Sequence, residues 1–202
     1  YRPELAEDLR QAKYWEKTEF EIVTGPPACG RFTQAIFDHD GTISTLRQGW
    51  EHIMEPMMAK AILGDRFMDA DESLYQRVVT RVREYIDKTT GIQTLVQMEG
   101  LVEMVKEFGL VPADRVLDAA GYKRIYNDGL MELVRERIGK FQRGELSVDD
   151  YTMKNAVKFL DALHRAGVKL FLASGTDEQD VIQEADALGY AGLFEGRIYG
   201  AI

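Results

Sequence analysis

Ala35-Ile36-Phe37-Asp38-His39-Asp40-Gly41-Thr42 decides how this chain is read. An apolar run stops at two carboxylates one residue apart, followed by glycine and threonine. Successive side chains of a strand point to opposite faces. A strand that ends at Asp38 and turns there can instead bring both acids to one pocket. Gly41 permits the positive φ or close backbone approach that such a turn needs, and Thr42 adds a hydroxyl. Two carboxylates buried at a strand end with a cation between them suit phosphate chemistry. One can attack phosphorus while the other shuttles a proton.

An acidic surface turn is the plain alternative. A calcium loop is another, but the EF-hand pattern needs a third acidic or amide residue before the glycine and a later glutamate, and neither is present. A second stretch weighs against both. Val168-Lys169-Leu170-Phe171-Leu172-Ala173-Ser174-Gly175-Thr176 reads as an apolar strand ending in a hydroxyl. Together the two stretches resemble motifs I and II of the haloacid dehalogenase superfamily of phosphohydrolases. Two motifs in the right order, each closing a strand, are far more specific than either alone.

The resemblance implies an α/β fold with a Rossmann-like parallel sheet, incomplete in this chain, and a large α-helical cap of the C1 type inserted after the first strand. It makes Asp38 the nucleophile and Asp40 the general acid and base, with Mg²⁺ held by the Asp38 carboxylate and the Asp40 backbone carbonyl. It makes Ser174 a phosphoryl ligand, assisted by the backbone of Gly175 and Thr176 and by a helix that starts near Asp177. Thr42 joins the phosphate-binding set. An acid at position 40 favours phosphoester chemistry over carbon–halogen or carbon–phosphorus cleavage. His39, between two inward acids, is expected to point away and pack. Substrate choice is expected in the inserted block, from Arg47, Trp50 and Gln93, with Thr90 and Lys123 as further candidates. Arg47 is the best placed of these to clamp an anion.

Composition bounds the rest. The 202 residues are 45% hydrophobic and 29% charged, the balance of a globular chain with one sizeable core or two small ones. A net charge of −9 argues against a nucleic-acid partner. A single cysteine, Cys29, excludes an internal disulfide and suits a reducing, cytoplasmic setting. No apolar run reaches the roughly 18 residues of a membrane helix. The expected ligand is a small phosphorylated metabolite.

Along the chain, residues 4–17 read as a helix and Phe20–Thr24 as a strand or extended arm. Residues 1–30 are expected to be an arm or the end of a preceding module. Residues 31–47 and 149–202 form the partial core and 48–148 the helical cap. The first core strand is read over Arg31–Phe37, after which residues 43–47 leave the core. Helices are expected over Trp50–Leu63, Asp71–Lys88 and Gln93–Phe108. Ala113–Leu117 is a short element, and Ala120–Arg143 is a long helix interrupted near Asn127-Asp128-Gly129. Asp149 or Asp150 is expected to cap a helix ending at Arg165. Strand Val168–Ala173 and helix Asp177–Leu188 follow. Leu193-Phe194 and Arg197-Ile198-Tyr199 read as a short strand pair.

The family has two further motifs, a lysine and an acidic pair. No lysine follows Lys169, and none of Asp177, Glu178, Asp180, Glu184, Asp186 and Glu195 ends a later apolar strand. The chain is therefore expected to be a piece of a longer enzyme, continued or fused on either side. A phosphosugar mutase, or an inactive binding module of the same fold, are the competing expectations.

Overall fold

The computed structural model describes residues 10, 12–18, 20–22, 25, 30 and 32–201. The chain divides into two compact units, 1–32 and 33–202. In the first, the described residues 12–18 are not helical, contrary to the expectation over 4–17. Tyr14 bridges Glu21 in antiparallel fashion, and Trp15 N–H donates to the Phe20 carbonyl at 2.9 Å. The Thr18 hydroxyl explains the reversal. It donates to the Trp15 carbonyl at 2.9 Å and accepts from Phe20 N–H at 3.2 Å, a local bonding pattern that competes with helix. The expected helix over 4–9, the arm at 23–24, Cys29 and Arg31 lie outside the described residues.

The second unit carries a three-stranded parallel sheet in the order β1 (Gln34–Phe37), β2 (Lys169–Asp177), β3 (Ile198–Ala201). Gln34 pairs with Lys169 and Phe37 with Leu172, while Leu172 also faces Ile198. Between β1 and β2 the chain is almost wholly helical: α1 (Glu51–Leu63), α2 (Glu72–Thr89), α3 (Thr94–Phe108), α4 (Ala119–Gln142) and α5 (Ala156–Arg165). Helix α6 (Glu178–Ala187) joins β2 to β3. This is an α/β fold. No helix of the described residues is long and apolar enough to cross a membrane.

Local chemistry sets these boundaries. Asp71 starts α2 by accepting from Leu74 N–H at 2.9 Å. Leu74, Val78, Val79, Val82 and Ile86 then recur on its buried stripe. Gly109 closes α3 in the left-handed conformation. The apolar stripes of α1–α4 meet in one core around Met54, Met58, Ile62, Met98, Leu101 and Leu130. A second core lies on one face of the sheet, around Leu170, Leu172, Val181, Tyr190 and Phe194. Strand alternation sends Ile36 to the other face, where it is 74% exposed.

Several boundaries differ from those read in the sequence, each for a packing reason. Strand β1 starts at Gln34. Residues 43–47 do not leave the core, because Ile43 and Leu46 are fully buried in the sheet-side cluster. Helix α4 runs unbroken through Asn127-Asp128-Gly129. Gly129 is there for close approach: a Cβ would stand 3.2 Å from Ile53 Cγ2 of α1. Asp149 and Asp150 do not cap α5. Ser147 and Asp150 instead close a short helical turn, and residues 151–153 pair with the segment after β1. Thr45 N–H donates to the Tyr151 carbonyl and Met153 N–H to the Ile43 carbonyl, both at 2.9 Å. This strap fastens the two ends of the helical block, so α5 begins only at Ala156. Strand β2 continues past Ala173 to Asp177 with an irregularity between those residues. Leu193 and Phe194 lie in a helical turn rather than a strand.

Gly200 fixes the approach of β3 to α6. A Cβ there would meet Glu178 Cα at 2.4 Å and the Thr176 carbonyl oxygen at 2.5 Å, both backbone atoms. Gly200→Ala is expected to cost about 1–3 kcal/mol by overpacking, read as a lower urea midpoint. An unchanged midpoint would mean that β3 lies further from α6 than described.

Candidate active site

The chain leaves β1 at Phe37 and turns at once. The His39 carbonyl accepts from Ile43 N–H at 2.9 Å and Ser44 N–H at 3.0 Å, and Gly41 N–H donates to the Ser44 carbonyl at 2.8 Å. Gly41 sits at φ 75°, as the turn requires. The turn brings Asp38 and Asp40 to one cavity of about 200 Å³. Ser174, Gly175 and Thr176 line the same cavity from the irregular end of β2. They lie inside the strand rather than just beyond it.

The two acids have different surroundings. Asp38 is exposed at the lip and accepts from the Thr42 hydroxyl at 2.9 Å. Thr42 is therefore placed to orient Asp38, and it is not part of the cavity wall. Asp40 is half-buried. Its Oδ2 accepts from the Thr176 hydroxyl at 2.8 Å and, at a longer 3.4 Å, from the Ser174 hydroxyl. Its Oδ1 faces His39 Nδ1 at 3.4 Å and Arg47 Nε at 3.9 Å. Burial pushes the Asp40 carboxyl up, but His39, Arg47 and Thr176 outweigh it and hold the group below the usual carboxylate range.

Arg47 lies in the wall, with its guanidinium already engaged. Nε and Nη2 donate to Glu184 Oε1 at 2.9 and 2.7 Å, and Nη2 also donates to Asp180 Oδ2 at 3.2 Å. Glu184, on α6, is only 2% exposed. Burial pushes its carboxyl up and Arg47 offsets this only in part, while the surrounding acids hold Arg47 firmly charged. Trp50 and Thr90 also line the cavity, whereas Gln93 and Lys123 do not. The Gln93 backbone lies over Gly175, and Lys123 pairs with Asp177 at 2.6 Å.

Sequence reasoning missed Ile92, Gln97, Tyr126 and Leu130 of the wall. Tyr126 and Leu130 are four apart on α4 and so share a face. Glu184 also carried a signal: it is an acid on the stripe Val181, Ala185, Leu188 that α6 buries.

Asp38, Asp40, Ser174 and Thr176 bring oxygen-bearing side chains to one cavity, the ligand type that a hard divalent cation takes. His39, Asp40 and Glu184 also bring ligand atoms within 4.8 Å of one another. That group already has a cation beside it, the Arg47 guanidinium.

Compared with family models, residues 34–202 match the haloacid dehalogenase-like hydrolases. The match spans both acid-bearing and hydroxyl-bearing stretches, and the chain belongs to that family. Among curated proteins no match is found.

Removing one partner of a buried pair leaves an uncompensated charge. Arg47→Met is expected to cost about 3–5 kcal/mol, and the double change Arg47→Met with Glu184→Leu to regain most of it. A double-mutant cycle in urea measures this. Additive losses would show that the pair is not coupled.

Proposed function

Taking that family membership as the premise, we propose that the chain is a Mg²⁺-dependent phosphomonoester hydrolase. It acts on small phosphorylated metabolites of the sugar-phosphate kind through an aspartyl-phosphate on Asp38. One observation carries the reading. Asp38 and Asp40 share a single cavity with Ser174 and Thr176, although Asp40 and Thr176 are 136 residues apart.

In this reading the Asp38 carboxylate attacks phosphorus, and the bond from phosphorus to the ester oxygen breaks. Asp40 protonates that oxygen as it leaves. Asp40 then takes a proton from water, whose oxygen attacks phosphorus and releases phosphate and the free Asp38 carboxylate. Asp40 is held ionised in the free site, so the acid form must arise with substrate present. A phosphate anion beside the carboxylate raises its pKa by like-charge repulsion. Mg²⁺ held by Asp38 and neighbouring oxygens supplies positive charge that reduces the repulsion between nucleophile and phosphate. Hydroxyls of Ser174 and Thr176 can turn from Asp40 to the phosphoryl oxygens.

The helical block acts as a cap that selects the leaving group. Trp50, Ile92, Tyr126 and Leu130 give it an apolar, partly aromatic wall, and Gln97 adds an amide. With Arg47 committed to acids, that wall offers no free cation among the described residues to a second anionic group on the substrate.

The test is phosphate release from a generic aryl phosphate by the 202-residue chain, with and without Mg²⁺, beside Asp38→Asn. Activity is expected to need the ion and to vanish in Asp38→Asn. Asp40→Asn is expected to lose on the order of 10²–10⁴ in kcat. Full activity in Asp38→Asn would exclude this nucleophile.

A further inference from the structure

His39 is buried at 0% exposure between the two acids, and its ring is not merely packed. Nε2 lies 2.8 Å from the Tyr190 hydroxyl. Nδ1 faces Asp40 Oδ1 at 3.4 Å. A ring nitrogen of His39 and carboxylate oxygens of Asp40 and Glu184 gather within 4.8 Å. Inside that gathering His39 Nδ1, Asp40 Oδ1 and Glu184 Oε2 are all buried without an aligned hydrogen bond. With Asp40 ionised its Oδ1 can only accept, so the nitrogen that faces it at 3.4 Å, Nδ1, is the one that carries the proton. Nε2 is then an acceptor, and the Tyr190 hydroxyl is its donor. Burial keeps Tyr190 a neutral donor by pushing its phenol far above the usual range.

We propose that Tyr190 fixes His39 as the Nδ1–H tautomer and that His39, so fixed, is a positioning residue for Asp40. Its Nδ1 stands against the Oδ1 edge of that carboxylate at 3.4 Å, ready to align as the acid moves its proton, while the Thr176 hydroxyl donates to the Oδ2 edge. The other edge interaction, from Thr176, is one that substrate draws away. The histidine contact is the one that persists through both proton transfers. The base is thus oriented by a third group, a division of labour general to side-chain acid–base catalysis. The proposal rests on the reading of Asp40 as the acid and base above.

Two measurements test it. The first needs no turnover: ¹⁵N-resolved NMR of the imidazole rings at mildly alkaline pH, in a chain with three histidines. His39 is expected as neutral Nδ1–H in the native chain and as a tautomer mixture in Tyr190→Phe. An Nε2–H ring, or an imidazolium, in the native chain overturns the proposal. The second follows release of the leaving alcohol in a single turnover, the step in which Asp40 acts as acid, for an alkyl phosphate and for an activated aryl phosphate whose leaving oxygen needs no proton. Tyr190→Phe and His39→Gln are expected to lose roughly tenfold in that single-turnover rate on the alkyl ester, with little change on the aryl ester. His39→Asn, whose amide stands where Nδ1 stood, is expected to recover part of that loss. Equal losses on both esters would reduce His39 to a structural role and overturn the proposal. A native chain inactive on both esters would remove the phosphatase reading and the positioning role with it, while the ring spectrum still decides the tautomer.

Discussion

Glu184 lies almost out of reach of water beneath an acidic cavity, and a carboxylate in that place needs a cation against it. Arg47 supplies the cation, and its reach ties together parts of the chain that are far apart in sequence. The guanidinium comes from the segment after β1, and its partners Asp180 and Glu184 come from the first two turns of α6. Asp40 stands 3.9 Å from Nε of the same guanidinium. Buried charge is a costly way to join two elements, and apolar residues of equal volume often do it as well. Its use here follows from where the junction lies. The floor of a site that gathers two carboxylates gains from a fixed positive charge below them, because that charge adds to the effect of His39 in keeping Asp40 ionised in the free state.

The strongest local signals in the sequence carried the fold. The apolar run into Asp38, the second run into Ser174 and the periodic stripes of α2 and α3 all correspond to real elements. The misreadings share one cause, that tertiary contacts override local chemistry. Asn127-Asp128-Gly129 has the composition of a break, but the glycine lets α1 and α4 touch. Asp149 and Asp150 look like caps, but the residues behind them are used in pairing with Ile43 and Thr45. Thr18 turned an expected helix into a chain reversal through two hydrogen bonds that a hydrophobicity pattern does not register.

The site was legible in its acids and hydroxyls and much less so in its wall. Asp38, Asp40, Ser174 and Thr176 announce themselves because few positions end an apolar strand in such groups. Ile92, Tyr126 and Leu130 do not, because an apolar side chain that lines a cavity has the same spacing as one that fills a core. His39 falls between these cases. Alternation placed it on the side away from the cavity; the ring is buried, yet its Nδ1 faces Asp40 Oδ1 at 3.4 Å. What alternation did not contain was Tyr190, which arrives from the loop after α6 and gives the ring a polar partner.

The helical block and the sheet each have their own apolar core, and Ile138 packs against both. The cavity takes its walls from the helical block and from the ends of β1 and β2. Elsewhere the two are tied by the strap of residues 43–45 and 151–153 and by the Arg137 bonds to the carbonyls of Leu46 and Gln48. Polar ties of this kind can rearrange or trade for water at far smaller cost than a core can be unpacked. Local opening at such ties can lie far below the free energy that keeps either core folded. A chain built in this way can admit and release a ligand many times without either core losing its packing.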